Sequence, residues 1–236
     1  IVIHTVGLTN VDICEENPDL AHHVNVELAE NAATACNILG ITFILISTDH
    51  LFSGEFPYVT EETLVRPINM YAKTKALAET RVQIVNPKSL VIRTNFYGWG
   101  PSYRQSFSDW VIFSLIKGKK IKVFNDVFFT PIYMKRLIQI VHQLIDQKTA
   151  GIFHIVGDDR LSKYEFAIKL AEEFGLNSTQ IQTDSISSRY GLVIRPLDMS
   201  LSNRKITEKL NICVGGIQEH FKIMKQSSPL KLSNSL

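Results

Sequence analysis

The sequence predicts an α/β fold in which helices cover both faces of a parallel β-sheet. Three short apolar runs, at residues 1–6, 41–46 and 89–94, lack the polar–apolar alternation of a strand with one face in water. Such runs are typical of strands buried on both faces. Segments with helical start and stop signals separate them. Because strand–helix–strand units cross over right-handedly into parallel sheets, we predict a doubly wound sheet.

The first strand–helix–strand unit is predicted from local signals. Residues 1–6 are predicted to form a fully buried strand. The Asn-Pro-Asp sequence at 17–19 predicts the start of a helix, with Asn as the cap, Pro at the first helical position and Asp at the positive end of the helix dipole. Gly40 is predicted to end this helix, and the strand at 41–46 follows at once.

The next segment is predicted to be a loop above the sheet. Residues 51–67 contain one glycine and two prolines, and we expect them to lie over the carboxyl ends of the strands, where ligands bind in doubly wound folds. A helix is predicted at 69–85, ended by an Asn-Pro pair. The loop at 95–101 combines turn formers with aromatic residues, so we expect it to face a ligand.

The remaining chain continues the alternation of helices and strands. The predicted elements are a helix at 106–117, a strand at 121–124, a helix at 133–147, a strand at 151–156, a helix at 162–174, a strand at 181–183, and helices at 204–210 and 216–225. Ser162 and Glu165 have the spacing of a capping box, and Gly175 provides a stop. The tail from Gln226 is predicted to fray.

Composition excludes several classes of protein. A chain of 236 residues with 45% hydrophobic and 20% charged residues fits a globular protein with one large domain and a small lobe. The net charge of +2 gives no reason to predict nucleic-acid binding, and the lysines at 117–122 are interpreted as a solvated turn. No apolar run approaches the roughly 20 residues that span a bilayer, so no membrane partner is predicted.

The cysteines and acidic residues indicate neither disulfides nor a metal site. Cys14, Cys36 and Cys213 show neither CxxC spacing nor an even framework, and are interpreted as reduced thiols of a cytoplasmic protein. The acidic residues near position 15 lack the His or Cys partners of a metal site.

A pair of side chains on the helix at 69–85 is a candidate for proton transfer. Tyr71 and Lys75 are four residues apart and therefore lie one turn apart on one helix face. An ammonium close to a phenol favours the phenolate, which makes the phenol a better proton donor to a developing alkoxide. Thr48 follows the strand at 41–46 and is placed to hydrogen-bond the same oxygen.

A series of short motifs extends through nearly the whole chain. They are Val11-Asp-x-Cys-Glu-Glu-x-Pro18, Val24-Asn25, Ser47-Thr-Asp49, Phe52-Ser-Gly54, Pro57-Tyr58, Glu61-Glu62, Tyr71-x-x-x-Lys75, Arg93-Thr-Asn-Phe-Tyr-Gly98, Thr130-Pro131, Gly151-x-Phe-His154, Ser162-Lys-Tyr-Glu165 and Arg195-Pro196. Together they resemble the dTDP-4-dehydrorhamnose reductase family, which comprises extended short-chain dehydrogenases acting on nucleotide sugars. The resemblance implies a Rossmann-like domain with a small C-terminal substrate-binding lobe.

The resemblance also implies the chemistry. It implies NAD(P)H-dependent reduction of the C4 keto group of a nucleotide-linked 4-keto-6-deoxy sugar, with NADP or NAD as cofactor. Tyr71 would donate the proton, Lys75 would lower its pKa and hold the nicotinamide ribose, and Thr48 would orient the sugar oxygen. The implied cofactor-binding residues are His4, Thr5, Val6, Tyr71, Lys75 and Thr94. The implied substrate-binding residues are Asp49, His50, Asn95 and Arg195, with Arg195 facing the diphosphate.

Three side chains keep two interpretations each. His4 either contacts the cofactor or packs in the core. Tyr97 and Trp99 either pack beneath their loop or face the sugar. A homodimer is an open prediction for the assembly.

The chain departs from the family pattern in one respect. A dinucleotide site of this class uses a glycine-rich turn after its first strand, and neither GxGxxG nor GxxGxxG occurs in the sequence. If residues 1–6 correspond to the fourth strand of the family, we expect an N-terminally incomplete domain from a longer protein. We then expect residues 1–150 to be the later part of the dinucleotide-binding domain, with 95–120 contributing to the lobe, and 151–236 to be mainly the lobe.

Two other functions stay open at this stage. The first is a nucleotide-sugar epimerase or dehydratase; dehydratases of this superfamily carry Asp-Glu after the Thr, whereas this chain has Asp49-His50. The second is a non-catalytic regulatory subunit, because the methionine adenosyltransferase β subunit resembles the same family.

Overall fold

The computed structural model describes residues 1–101, 103, 105–188 and 191–229. Its strands are β1 (Val2–His4), β2 (Phe43–Ile46), β3 (Leu90–Arg93), β4 (Phe96–Tyr97), β5 (Ile121–Phe124), β6 (Phe128–Phe129), β7 (Ile132–Tyr133), β8 (Gly151–His154), β9 (Leu161–Ser162) and β10 (Ile181–Asp184). Its α-helices are α1 (Val11–Glu16), α2 (Pro18–His22), α3 (Leu28–Ile38), α4 (Met70–Val85), α5 (Phe107–Ile116), α6 (Met134–Asp146), α7 (Lys163–Phe174), α8 (Arg204–Leu210) and α9 (Ile217–Gln226).

A parallel sheet in the order β1-β2-β3-β8 forms the centre of the fold. Alternate residues of its strands enter two different cores: Phe43 and Leu45 pack against α3 and α4, while Ile44 packs against α6 and α8. Helices therefore cover both faces of the sheet, which explains why β2 and β3 are continuous apolar runs. The predicted doubly wound α/β fold is confirmed.

The first strand differs from its prediction. It is shorter than residues 1–6, and Ile1, Ile3 and Val6 are exposed. Among the described strands, β1 pairs with β2 alone, so it forms an edge of the sheet. The prediction of a fully buried strand was wrong, because an apolar run does not reveal whether a helix covers both faces of the strand.

The helical region after β1 begins earlier than predicted. Asn10 caps α1, its side chain accepting a hydrogen bond from the Ile13 N–H at 3.1 Å. Asn17 ends α1 and precedes α2 without a side-chain cap. A π-helical segment, His23–Glu27, joins α2 to α3. Asn17 was thus correctly placed at a helix start, but the first helix and the π-helical segment were missed.

A second core lies beside the sheet and is rich in aromatic residues. Strands β5 and β10 pair in parallel, and α5, α7 and α9 pack together around Phe166. This core takes its residues from 97–129, 133, 161–199 and 217–224, whereas residue 132 and residues from 137–155 and 206–214 pack on the sheet. The chain therefore alternates between the two cores, and the division at residue 150 stays a prediction.

The loop at 51–67, the surface lysines and the capping box of the predicted helix at 162–174 agree with the structure. The loop at 51–67 contains neither helix nor strand, and the lysines at 117–122 are exposed ahead of and within β5. The capping box of Ser162 and Glu165 forms at the start of α7, and Gly175 ends that helix in the left-handed conformation. The three cysteines are free. Within the described ranges, no helix is long and apolar enough to cross a bilayer.

Candidate active site

Helix α4 carries the predicted tyrosine and lysine. Its start is fixed by Asn69, whose side chain accepts a hydrogen bond from the Ala72 N–H at 2.9 Å and donates one to the Ile194 carbonyl at 2.9 Å. Tyr71 and Lys75 lie one turn apart on the same face of α4. Both side chains are buried. The predicted pair is therefore on the face of α4 that packs inside the protein and not on its solvent-exposed face.

The Lys75 ammonium is held at the carboxyl end of β2. Its Nζ donates a hydrogen bond to the Ile46 carbonyl at 2.8 Å. Burial lowers the pKa of Lys75 to about 8, and the nearby Glu79 carboxylate opposes that decrease. Lys75 is therefore still mainly protonated at neutral pH, but a modest rise in pH removes its charge.

The segment after β2 brings two predicted residues, Thr48 and His50, together next to Tyr71. Thr48 is buried two residues beyond the carbonyl that binds Lys75, and its Oγ1 accepts a hydrogen bond from the His50 N–H at 3.3 Å. The rings of His50 and Tyr71 meet edge to face with centroids 5.5 Å apart. Thr48, His50 and the Tyr71–Lys75 pair thus belong to one site.

Asp49 is buried and accepts hydrogen bonds from two sides. Thr48 Oγ1 donates to Asp49 Oδ1 at 3.3 Å, and Asn95 Nδ2 donates to Asp49 Oδ2 at 2.5 Å. Asn95 follows β3, so the ends of two neighbouring strands meet here. The structure brings these predicted substrate residues together.

His50 lies in a strongly desolvated position. Burial is the main cause that lowers its pKa; the charges of Lys163 and Arg195 act in the same direction, and Asp49 opposes them. Its Nδ1 is buried and has no hydrogen-bond partner within the described part of the chain. A neutral imidazole with a free ring nitrogen faces this site.

Arg195 lies near the site but is already paired. Its Nη2 contacts Asp12 Oδ2 at 2.5 Å, and its Nη1 donates to the Val193 carbonyl at 2.7 Å. The hydrogen bond from Arg195 is the main cause that holds the pKa of Asp12 below its ordinary value. The predicted diphosphate contact of Arg195 stays a prediction, and it has to compete with Asp12.

The predicted cofactor residues have different environments. His4 is buried at the end of β1 with an unpartnered Nε2 among the described residues, and its pKa is lowered by burial and by the charge of Lys75. Thr94 is buried, and its hydroxyl donates to the Ile155 carbonyl at 2.7 Å. Thr5 and Val6 are exposed after β1. Thr94 is therefore held in place by its hydrogen bond, and His4 is buried within the electrostatic influence of Lys75.

A buried network of charged and polar side chains lies next to Lys75, and the sequence analysis did not predict it. Glu79, one turn after Lys75, accepts hydrogen bonds from Arg93 Nη2 at 2.7 Å and from Ser47 Oγ at 2.5 Å. Arg93 Nη1 lies 3.4 Å from His154 Nε2. The network joins α4 to strands β3 and β8. A charged residue four positions after Lys75 and an arginine in an apolar strand were the available sequence signals.

Asn25 is a second missed residue. It lies in the π-helical segment and is buried, and its Oδ1 accepts a hydrogen bond from the Leu8 N–H at 2.7 Å. Its Nδ2 donates to Thr74 Oγ1 at 3.0 Å, next to Lys75 in α4. Because π-helical segments change the direction of a side chain within a helix, this segment explains how Asn25 reaches α4.

The open interpretations of the aromatic loop are resolved toward packing. Tyr97 is buried in the aromatic core, and Trp99 donates its indole N–H to the Met224 carbonyl at 3.1 Å. Burial raises the pKa of the Tyr97 hydroxyl.

No group of three or more His, Cys, Asp or Glu side chains within the described ranges has a geometry that could hold a metal ion.

The fold and this site together define a class of protein. A parallel, doubly wound sheet with a buried Tyr-x-x-x-Lys helix beside a threonine at a strand end is the architecture of short-chain dehydrogenases. The family model described as the RmlD substrate binding domain matches residues 1–227. The chain belongs to this family.

Proteins with similar sequences include both a reductase and a subunit of another enzyme. The chain is 31% identical over 200 residues to the "Probable low-salt glycan biosynthesis reductase Agl14" of Haloferax volcanii, with 83% of this chain and 67% of that protein covered. It is also 31% identical to the "Methionine adenosyltransferase 2 subunit beta" of Rattus norvegicus, with 78% of this chain covered. The chain spans 58% of the length of that second relative.

Solved structures agree with the family assignment. A dTDP-4-dehydrorhamnose reductase ortholog from Clostridium acetobutylicum superposes with a TM-score of 0.87 at 30% identity, covering 96% of this chain and 80% of that one. The dTDP-4-dehydrorhamnose reductase from Bacillus anthracis, solved in complex with NADP, gives a TM-score of 0.89 at 25% identity with the same coverage. The similarity therefore extends over nearly all of this chain.

Proposed function

We propose that the protein reduces the C4 keto group of a nucleotide-linked 4-keto-6-deoxy sugar with NADPH or NADH. The observation that carries the proposal is the burial of Tyr71 and Lys75 beside Thr48 at the carboxyl end of the sheet. Ligands of doubly wound folds bind at that end. The names of the similar reductases give the proposal its substrate class.

In the proposed reaction, Tyr71 gives its hydroxyl proton to the sugar oxygen. A tyrosine hydroxyl is mainly protonated at neutral pH, which is the state that a reductase needs before the carbonyl is reduced. The Thr48 hydroxyl, which donates to Asp49 Oδ1 in the structure, turns to the sugar, donates its hydrogen bond to the same oxygen and orients it. Lys75, held on the Ile46 carbonyl, stabilises the phenolate that remains after proton transfer.

The residues that face the nicotinamide half of a dinucleotide fit such a cofactor. Bound NADPH or NADH supplies the hydride. Among the described residues, Lys75 Nζ makes one hydrogen bond, and its two remaining protons can be donated to ribose hydroxyls. His4 Nε2 is buried without a partner among the described residues and provides a further polar contact beside Lys75. Thr94 lies on the adjacent strand end, which supports a role near the carboxamide.

The substrate contacts follow from the strand ends. We assign Asp49, His50 and Asn95 to the sugar, because the hydrogen bond between Asp49 and Asn95 aligns them beside Tyr71. Arg195 is assigned to the diphosphate, which would replace or share its contact with Asp12. Elimination of water is a less suitable reaction for this site, since His50 stands where dehydratases carry the second carboxylate.

The test is consumption of reduced dinucleotide with a 4-keto-6-deoxy nucleotide sugar. Tyr71→Phe removes the proton donor and keeps the ring, so we expect a decrease in kcat/KM of about 10²–10⁴-fold, the usual contribution of a positioned acid. Tyr103→Phe, at an exposed tyrosine, is the matched control and should leave the rate unchanged. Equal rates for the wild-type protein and Tyr71→Phe would contradict the assignment.

A second candidate function is a binding subunit without turnover. It is favoured by the 31% identity to the methionine adenosyltransferase 2 subunit beta, which equals the identity to the archaeal reductase. A subunit of this kind would bind dinucleotide and give no substrate-dependent oxidation with any nucleotide sugar. The same assay, combined with a dinucleotide titration, separates the two functions.

A further inference from the structure

Lys163 is a partly exposed cation whose position the sequence did not single out as a site. It is the first residue of α7, and its N–H donates to the Val127 carbonyl at 2.9 Å. The preceding Ser162 forms the capping box with Glu165. The backbone of Lys163 is therefore fixed at a helix start, and its long side chain is directed by packing.

The ammonium of Lys163 lies on aromatic faces and has no acceptor. Its Nζ is 3.3 Å from the ring centroid of Phe129 and 5.2 Å from that of Phe107. Within the described part of the chain, no oxygen accepts a hydrogen bond from Nζ and no carboxylate oxygen lies within 4.0 Å of it. Burial lowers the pKa of Lys163 to about 8. Because the side chain keeps partial access to solvent, its N–H donors are available to a ligand.

The charges around Lys163 connect it with the candidate active site. Asp49 stabilises the ammonium of Lys163, and the charge of Lys163 disfavours protonation of His50. His50 Nδ1 is itself buried and unpartnered among the described residues, and its ring contacts Tyr71. Asp49, His50 and Lys163 therefore influence one another electrostatically, and the His50 ring of this group contacts Tyr71.

We propose that Lys163 binds the hexose of the nucleotide sugar by donating a hydrogen bond to one of its ring hydroxyl oxygens. The proposal rests on the proposed function for the identity of the substrate. A hexose hydroxyl is preferred to the diphosphate because the Asp49 carboxylate would repel a phosphate. The same carboxylate accepts a hydrogen bond from a neighbouring hydroxyl. Lys163 is thus a substrate-binding residue for the reacting sugar, and its aromatic support on Phe129 fixes the direction of the donor.

The test compares ligands with and without the sugar. Calorimetric titrations of the whole chain use dTDP-glucose against dTDP and UDP-glucose against UDP, with the wild-type protein and Lys163→Met. Methionine keeps the apolar stem on Phe129 and removes the donor. We expect Lys163→Met to weaken nucleotide-sugar binding about 10–100-fold, the range for a hydrogen bond to a charged group, and to leave nucleoside diphosphate binding unchanged.

Two further variants control the comparison. Lys135→Met, at an exposed lysine of α6, should bind both kinds of ligand as the wild-type protein does. Lys163→Arg retains a cationic donor and should recover part of the lost affinity for the nucleotide sugar. Thermal melting checks folding, and Lys163→Gln replaces Lys163→Met if the latter does not fold.

The possible outcomes separate this proposal from the proposed function. An equal loss for the nucleotide sugar and the nucleoside diphosphate would overturn the hexose contact, and so would an unchanged affinity for the nucleotide sugar. A selective loss in a protein that oxidises no reduced dinucleotide would support the Lys163 contact and refute the reductase. Turnover by the wild-type protein with an unchanged KM in Lys163→Met would retain the reductase and refute the contact.

Discussion

Among single residues, Lys75 has the charge on which the proposed chemistry depends. Its ammonium is buried, is held by one carbonyl and lies near the imidazole of His4. Burial already lowers the pKa of Lys75 to about 8. A further loss of solvation or of the nearby Glu79 charge would therefore deprotonate Lys75 near neutral pH. The residue that organises the site is therefore also its most sensitive titratable group.

We predict that binding of reduced dinucleotide weakens above pH about 8. The folded-state pKa of Lys75 is lower than the ordinary value of 10.5, so the ammonium is present below pH about 8 and is lost as the pH rises through that value. Fluorescence titration of NADPH without sugar substrate, at a series of pH values, measures the effect. Lys163→Met should keep this dependence, because Lys163 is assigned to the sugar; affinity that stays constant to about pH 10 would contradict the role of Lys75.

The individual residues of the site were largely predictable, but their partners were not. The Tyr71–Lys75 spacing and the hydroxyl after β2 are local patterns, and a residue's place at a strand end follows from the parallel sheet. Asp12 and Arg195 are 183 positions apart, and no local pattern indicates their ion pair. The same reason explains why an electrostatic interaction between Lys163, known only as part of a capping motif, and Asp49 was not predicted.

Among secondary-structure elements, α4 is tied to the sheet by a buried ion pair. Arg93 in β3 donates to Glu79 through both Nε and Nη2, and both side chains are nearly inaccessible to water. The pair sits one turn beyond Lys75, so the same contact holds the helix against the strand and supports the charge of Lys75. Helix position and site electrostatics are coupled through Glu79.

We predict that Glu79→Gln lowers the free energy of unfolding by about 3–5 kcal/mol, because it leaves the charge of Arg93 buried without a counter-charge. Urea denaturation measures the loss. The control is Glu208→Gln, which removes an exposed pair with Arg204 and should change stability by at most about 0.5 kcal/mol. The pH above which dinucleotide binding weakens should also shift to lower values. A Glu79→Gln protein as stable as the control would show that Arg93 does not need this partner.

Elements with terminal signals were predicted well, and short or irregular ones were missed. Helices α4 and α7 have side-chain caps and long sequences, so their bounds agree with prediction to within one residue. Strands β4, β6, β7 and β9 contain two residues each, which is too short for a hydrophobic period. The π-helical segment has the composition of a helix, and its long-range contact between Asn25 and Thr74 has no local sequence signal.

For the whole molecule, the fold was predictable and the arrangement of its two cores was not. Continuous apolar strands separated by helices indicate a doubly wound sheet. The chain leaves the sheet after β3, returns with α6 and β8, and leaves it again with α7. These transfers are set by packing between distant segments, such as Phe166 on Tyr97 and Phe221. The division at residue 150 follows the order of the sequence and stays a prediction, whereas the two hydrophobic cores alternate along the chain.

The stability of the whole chain should depend on pH through its buried histidines. The pKa of His154 is lowered to about 3, mainly by burial and then by the charge of Arg93. His4, His50 and His220 have lowered pKa values for the same main reason. Below pH about 6.5 the unfolded chain binds protons at these positions that the folded chain does not bind, so acid favours unfolding.

We predict that His154 alone removes roughly 1 kcal/mol from the free energy of unfolding between about pH 7 and about pH 5.5. Above the ordinary pKa of 6.5, His154 is neutral in both states and does not reduce the free energy of unfolding. As the pH falls from 6.5 toward the folded-state pKa, protonation of the unfolded chain reduces that free energy progressively. Urea denaturation at several pH values should show a smaller pH dependence for His154→Gln than for the wild-type protein.

The exposed His142 provides the control, since His142→Gln should keep the wild-type slope. Glu61 lies beside His154, and burial raises its pKa. This opposes the histidine effect, because the folded chain then holds a proton more strongly than the unfolded chain does. The difference in slope between His154→Gln and the wild-type protein isolates the histidine as long as Glu61 is unchanged in both. Identical slopes for these two proteins would mean that His154 becomes protonated in the folded state as readily as in the unfolded chain.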